Sequence, residues 1–425
     1  MSEWKSLRLG DHMEALSGFP FPSEGFSQEA GLPLIRIRDL LATQVETYFV
    51  GSYPDDFVIN DGDVLIGMDG DFNIVRWDKG KALLNQRVCK VFASTSQLDE
   101  GFLFWSLGPE LKDIHQKTPQ TTVKHLSVGD LYQLCLQVPP VDEQRLIARI
   151  LDTLDTLIQK TEALIAKLEK VKEGLLHDLL TRGIDENGQL RPTPEQAPEL
   201  YKDSPLGPLP KNWSFTNVSS IGQVKGGKRL PFGHQYSSEE TEFRYLRVTD
   251  FYEQSYLANR LESIEEATFN ILSRYEIRPG DVFVSIAGSI GYFGVHGPAD
   301  AENYRVILTE NAARIVLTSD VNPDYFALAM NSEPCQKQVE AEKGTGGGVP
   351  KLALFRIEQI LFPLPGCDEQ VEIVKRANSF SYRIASERLK LDKMKTKKQG
   401  LMDDLLTGRV RVTSLLEQAE VGTSA

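Results

Sequence analysis

Residues 142–181 read DEQRLIARILDTLDTLIQKTEALIAKLEKVKEGLLHDLLT, and residues 368–407 read DEQVEIVKRANSFSYRIASERLKLDKMKTKKQGLMDDLLT. The first stretch holds no Pro and a single Gly, Gly174. Its apolar residues fall at Ile147, Leu151, Leu154, Ile158, Ile165, Leu168, Leu175 and Leu179, and Thr161 and Lys172 fill the two slots left over. The steps alternate four and three, which is a heptad seam. Adding 226 lands on Ile373, Ala377, Phe380, Ile384, Leu391, Met394, Leu401 and Leu405, with Glu387 and Lys398 in the same polar slots. A helix of about 40 residues extends roughly 60 Å. Alone it would leave its seam in water, so the two copies are expected to pair as an antiparallel two-helix coiled coil. Thr161 and Glu387 are then expected to meet near the centre, as a polar layer that sets register at some cost in stability. The competing reading is a plain helical hairpin, but a whole lobe rather than a short turn separates the helices. Beside the seam, the first helix carries Ile150, Leu157 and Leu164 where the second has Arg376, Arg383 and Lys390. That face either widens the inner stripe or docks another subunit.

Working outward, the rest of the chain also aligns with itself. Trp4, Gly18 and Pro22 match Trp213, Gly227 and Pro231 at an offset of 209. Residues 34–40 (LIRIRDL) resemble 245–251 (YLRVTDF) at 211, and Gly62-Asp63-Val64 matches Gly280-Asp281-Val282 at 218. From Asp142-Glu143-Gln144 and Asp368-Glu369-Gln370 onward the offset holds at 226. Each half is therefore a lobe of variable length followed by a segment of constant length.

The fold class expected is α+β, with two similar α/β lobes related by a pseudo-two-fold repeat and separated by the coiled coil. The divisions are a first lobe at 1–141, a first spacer helix at 142–181, a Pro-rich linker at 182–212, a second lobe at 213–367, a second spacer helix at 368–408 and a tail at 409–425. Six prolines in the linker (192, 194, 198, 205, 208 and 210) predict an extended path without regular ladders. Within the lobes, strands are predicted at 35–40 and 246–251, and turns at 60–63 and 278–281 that open into strands at 64–67 and 282–286. Short helices are predicted at 101–107 and 324–330, a loop at 237–242, and strands at 136–140 and 361–365. Polar or Gly-rich segments at 117–127 and 343–352 precede those last strands.

The bulk numbers narrow the class. A chain of 425 residues is longer than one core usually organises. No apolar run is long enough for a bilayer, and the first residues lack the apolar core of a signal peptide, so a cytoplasmic protein is expected. Cys89, Cys135, Cys335 and Cys367 are scattered, which predicts buried thiols rather than disulfides or zinc. Net charge is −13; residues 1–141 hold 12 Lys+Arg against 19 Asp+Glu, and residues 213–367 hold 14 against 19. A nucleic-acid binder of this charge needs either a local basic patch or a positive field from partners.

Catalytic signatures are missing. The glycine run at 344–350 lacks the Gly-Lys-Ser/Thr ending that cradles phosphate, and Gly226-Gly227-Lys228-Arg229 does not follow the dinucleotide pattern. His12, His115, His125, His177, His234 and His296 are isolated in sequence, with no metal spacing. No Asn-Pro-Pro-aromatic methyltransferase motif and no nuclease carboxylate–lysine constellation stands out.

Several of these stretches resemble one family. Residues 138–144 (VPPVDEQ), with Ile147-Ala148, Leu151-Asp152 and Leu157-Ile158, look like the first conserved region of type I restriction specificity subunits. Residues 364–370 (LPGCDEQ) are a second copy with one Pro replaced. Residues 174–181 (GLLHDLLT) and 121–127 (TTVKHLS) also fit, while 346–351 (GGGVPK) depart. The resemblance spans nearly the whole chain and implies two target recognition domains, each reading half of a split double-stranded DNA sequence. It also implies a non-catalytic chain without a cofactor of its own. Two methyltransferase subunits and restriction/translocase subunits would use S-adenosylmethionine, ATP and Mg.

Specific reading needs side chains at base edges in the major groove, where Arg suits guanine and Asn or Gln suits adenine. The candidate DNA contacts are Lys117, Gln120, Thr121 and Lys124 in the first lobe, and Lys225, Lys228, Arg229, Lys343 and Thr345 in the second. The alternative for each is a solvated surface residue. Arg36, Arg38 and Arg247 are candidates for structural ion pairs instead. Two competing classes are a fused methyltransferase–nuclease, which needs motifs not found here, and a coiled-coil scaffold without a nucleic-acid role, which the acidic charge favours.

Overall fold

Gln144 shows why the first long helix begins where it does. In the computed structural model its Oε1 accepts from the Asp99 backbone N–H at 2.8 Å, and its Nε2 donates to the Pro139 carbonyl at 2.8 Å and the Gln97 carbonyl at 2.9 Å. Gln370 repeats this, accepting from Asn322 N–H at 2.9 Å and donating to the Pro365 carbonyl at 3.0 Å. Both amides are buried, so each must be satisfied by protein groups, and each thereby ties a helix start to its lobe. Acidic residues fill both first turns, where the helix dipole favours them. The helices span Val141–Thr181 and Cys367–Leu405. The structure describes residues 4–118, 124–297, 304–317, 321–343 and 350–417.

The chain divides into two compact units, residues 1–164 with 387–425 and residues 165–386. In the first unit, Lys5–Arg8 pairs antiparallel with Cys135–Val138, which runs directly into the first long helix. A four-stranded antiparallel sheet follows the order Met13–Ser17, Val88–Ala93, Val64–Gly67, Ile74–Arg76. A second sheet contains Leu32–Ile35 parallel to Ala82–Leu84. The main core lies between the four-stranded sheet, the helix Glu100–Lys117 and the first turns of the long helix at Ile147, Ala148 and Leu151, with Leu405 of the second helix in the same cluster.

The second unit repeats the plan. Ser214–Asn217 pairs with Leu361–Leu364, ahead of the second long helix. Its four-stranded sheet runs Gly222–Gly226, Ala312–Leu317, Val282–Ser285, Phe293–Val295. Phe243–Leu246 lies parallel to Arg305–Leu308. Leu179 and Leu180 of the first helix share a core cluster with Ile373, Val374 and Ala377 of the second.

Within the first unit, Asp155 pairs with Lys398, and Glu162 with Lys395 at 2.7 Å. Rising residue numbers on one helix meet falling numbers on the other, so the segments run antiparallel. Ile147, Leu151, Ile158, Ile165, Leu168, Ile373 and Ile384 are buried, and Leu154, Thr161, Phe380, Glu387 and Leu391 are half-buried. The polar slot at Lys398 is filled by the pair with Asp155 and by the Trp105 ring, whose centroid is 4.7 Å from Nζ. The register corrects one expectation. Thr161 stands beside Glu162 and so opposite the Lys395 stretch, about two turns or roughly 12 Å from Glu387. Its hydroxyl instead donates to the Leu157 carbonyl, and Glu387 pairs with Lys390. On the neighbouring face, Ile150 packs against the first core while Leu157 is exposed.

Other expectations shift for local reasons. The strands predicted at 35–40 and 246–251 end at Ile35 and Leu246, and short 3-10 turns follow, Ile37–Asp39 and Val248–Asp250. The buried carboxylates of Asp39 and Asp250 accept from the backbone N–H groups of Arg36 and Arg247 at 3.0 and 2.9 Å, which closes the turns. Arg38 pairs with Glu46, and Arg247 with Asp250 and Glu262. The helix predicted at 101–107 continues through Pro109 to Lys117, and the one at 324–330 is followed by a second, Glu333–Ala341. The linker does form a short ladder, Tyr201–Lys202 with Leu209–Pro210. Cys89 and Cys335 are buried, but Cys135 and Cys367 are exposed, because both lie at surface ends of the segments entering the helices.

Candidate nucleic-acid interface

Gly18 and Gly227 mark one end of the four-stranded sheet in each lobe. A methyl group on Gly18 would lie 2.1 Å from the Asn85 carbonyl oxygen, and one on Gly227 would lie 2.0 Å from that of Thr309. Only a residue without Cβ lets the chain pass there. Each glycine therefore lies against a tight turn, at 85–88 in one lobe and 309–312 in the other. Val88 N–H donates to the Asn85 carbonyl at 2.9 Å, and Ala312 N–H to that of Thr309 at 3.2 Å.

The next loop rests on that turn. Met68 N–H donates to the Arg87 carbonyl at 3.0 Å, and Ile286 N–H to the Asn311 carbonyl at 2.8 Å. The segment before the long helix is then bridged to the same loop, Asp69 with His125 in one lobe and Ala287 with Lys351 in the other. Three segments distant in sequence thus converge at one sheet end, twice.

In the first lobe this end gathers cations. Arg87 lies 3.0 Å from one Asp69 oxygen, and the other accepts the His125 ring nitrogen at 2.7 Å. The Lys124 ammonium donates to the His115 carbonyl. Lys117, at the end of its helix, pairs with Asp113 at 2.5 Å while its side chain stays 75% exposed. The hydrogen bond it donates to Asp113 holds that ammonium pKa above its ordinary value. Gln120 and Thr121 lie outside the described residues.

In the second lobe, Lys225 is exposed on Gly222–Gly226, and Lys228 follows with its N–H on the Leu308 carbonyl at 2.9 Å. Arg229 pairs with Glu310 at 2.7 Å, and this bond raises the guanidinium pKa. Lys343 pairs with Glu340. Thr345 lies outside the described residues. The fold thus brings Lys225, Lys228 and Arg229 to the sheet end that carries Lys351, and Lys124 to the end that carries Arg87.

Sequence reasoning missed Arg87, Asp69 and Lys351, and it read His125 as isolated. The signal available was the internal alignment, since 69 and 287 share the offset 218 of the neighbouring turn and 125 and 351 share the offset 226. Among the described residues, no group of three or more His, Cys, Asp or Glu could hold a metal ion. No described helix is long and apolar enough to cross a membrane.

Known proteins match this arrangement. The model of the type I restriction modification DNA specificity domain matches residues 1–170 and 210–396, once per repeat. The chain is 29% identical over 393 residues to the EcoBI type I restriction enzyme specificity subunit of Escherichia coli, covering 91% of this chain and 81% of that one. It is 22% identical over 419 residues to the MjaVIII specificity subunit of Methanocaldococcus jannaschii, covering 97% and 94%. Its fold is similar to the solved type I S subunit from M. genitalium, with a TM-score of 0.63 at 15% identity over 95% of this chain and 96% of that one. Duplicated lobes, duplicated helices and a family model that matches both copies lead to one conclusion: the chain belongs to the type I restriction–modification DNA specificity family.

Proposed function

We propose that this chain reads a two-part site on double-stranded DNA, one half per lobe, for a type I restriction–modification complex. The observation that carries the reading is the repeated sheet end. The two lobes share one backbone frame there but present different polar side chains. One shared frame with two sets of side chains is what reading two different half-sites requires.

The long helices supply the gap between half-sites. Two readers on a stiff support accept only half-sites at a set spacing along the duplex. The chain itself carries no catalysis in this reading. Two methyltransferase subunits dock on it, with S-adenosylmethionine as their cofactor, and restriction/translocase subunits use ATP and Mg. The complex works in the cytoplasm, where the DNA is. A net charge of −13 fits such a division of labour, because partners then share the phosphate contacts.

The test is methylation mapping on a genome carrying the full system, joined to a gel shift with and without methyltransferase subunits. The expected result is methylation at one split sequence and much tighter binding with the partners present. Replacing the first lobe should change one half of the sequence and leave the other intact. Methylation without a split site, or both halves changing together, would overturn the reading.

A further inference from the structure

Arg87 and Asn311 occupy the same place in the two lobes. Each is the third residue of the turn beneath the glycine crossing, and each offers its carbonyl to the next loop. The residue facing the turn from that loop differs in step. It is Asp69 where the turn carries Arg87, and Ala287 where the turn carries Asn311. At this loop position the acid accompanies the turn arginine; in the second lobe the arginine at the sheet end is Arg229, paired with Glu310 of the turn itself.

The geometry suits base reading better than scaffolding. Arg87 is 58% exposed and Asp69 only 18%, so the carboxylate sits beneath the guanidinium and the guanidinium faces solvent. Asp69 is itself fixed by His125 at 2.7 Å and by the backbone bridge between the two residues. An exposed ion pair of this kind adds little to stability. It does keep the guanidinium beside the carboxylate, through one N–O contact of 3.0 Å. An arginine fork matches the O6 and N7 acceptors of guanine. Gln86, next in the turn, is also exposed, and Lys124 lies on the segment bridged to the same loop.

We infer that Arg87, oriented by Asp69, is the guanine-reading side chain of the first lobe. The inference rests on the proposed DNA-reading role and names the residue that performs part of it. Arg87 is the contacting group and Asp69 is its positioning residue.

The experiment uses the chain reconstituted with its methyltransferase subunits. Duplexes vary the mapped site one base pair at a time, and a parallel set carries 7-deazaguanine at each guanine of the first half-site. Arg87→Ala and Arg87→Gln should each lose roughly ten- to hundredfold discrimination at one guanine·cytosine pair of the first half-site. The second half-site should be read as before, and the salt dependence of binding should not change. 7-Deazaguanine at that position should weaken the parent complex but leave Arg87→Ala unaffected. Asp69→Asn should reduce discrimination at the same pair while circular dichroism stays that of the parent.

A uniform loss over all duplexes, with a salt slope lower by about one, would make Arg87 a phosphate contact and overturn the inference. Unchanged discrimination, or a change confined to the second half-site, would also overturn it. If the parent complex preferred no split site at all, the DNA-reading role itself would fail, which is a separate result.

Discussion

The indole Nε1 of Trp213 donates to Oε2 of Glu369 at 3.0 Å. Arg191 grips the same carboxylate through two bonds of 2.6 and 3.1 Å, and Ile184 N–H adds a third donor at 2.7 Å. Arg191 and Glu369 side chains are 11% and 12% exposed. Glu369→Ala strands a buried guanidinium and an indole N–H, so it should cost about 3 kcal/mol. The check is denaturant unfolding followed by Trp213 fluorescence, in a variant with Phe at Trp4, Trp77 and Trp105. Glu143 repeats the position, gripped by Arg411 at 2.6 and 3.0 Å, but the Trp4 indole nitrogen has no partner among the described residues and Arg411 is more exposed. Glu143→Ala, made in the parent chain and followed by circular dichroism, should therefore give a smaller midpoint shift.

Adjacent glycines should respond very differently to the same change. Gly227→Ala drives a methyl group onto the Thr309 carbonyl, whereas a methyl group on Gly226 meets nothing nearer than a Leu354 methyl at 3.5 Å. Gly227→Ala should destabilise the second lobe by about 3 kcal/mol, an overpacking cost. Gly226→Ala should be within about 1 kcal/mol of the parent. Thermal unfolding of the two variants side by side decides it, and equal melting temperatures would contradict the close approach.

The helices can be tested as a ruler. Deleting residues 158–164 together with 384–390 removes one heptad from each copy, in register. The spacer shortens by roughly 10 Å, so the preferred gap between half-sites should shrink by about three base pairs. Methylation mapping of the shortened system reads the new gap. An unchanged gap would rule out the ruler.

Cysteine reactivity should split by burial. Burial pushes the Cys89 and Cys335 thiols up to about 12, so almost no thiolate exists at pH 8. Cys135 and Cys367 are exposed. Alkylation of the native chain at pH 8 should label those two, and denaturation should release all four to the reagent. Mass spectrometry of the peptides is the readout, and rapid native labelling of Cys89 would contradict the packing of the first core.

What the chain could disclose on its own was its periodic and repeated part. A heptad seam is written in residues a few positions apart, and a duplication needs only comparison of the chain with itself. The helices, their antiparallel pairing and the two-lobe plan were legible for that reason. Local turn chemistry was partly legible: Asp63 and Asp281 were placed in turns, whereas the turn-closing role of Asp39 and Asp250 emerged only from their burial.

Tertiary structure decided everything that depends on distant segments meeting. Thr161 and Glu387 matched as positions in a repeat, yet the register between helices is set by the cross-helix pairs and the packing around them, and it places the two residues apart. Asp69, Arg87 and His125 lie far apart in sequence and carry no shared local pattern. Their contact exists because two sheet strands and the segment before the long helix end at one edge, and hydrogen bonding between non-local strands leaves no signature in any short window of residues.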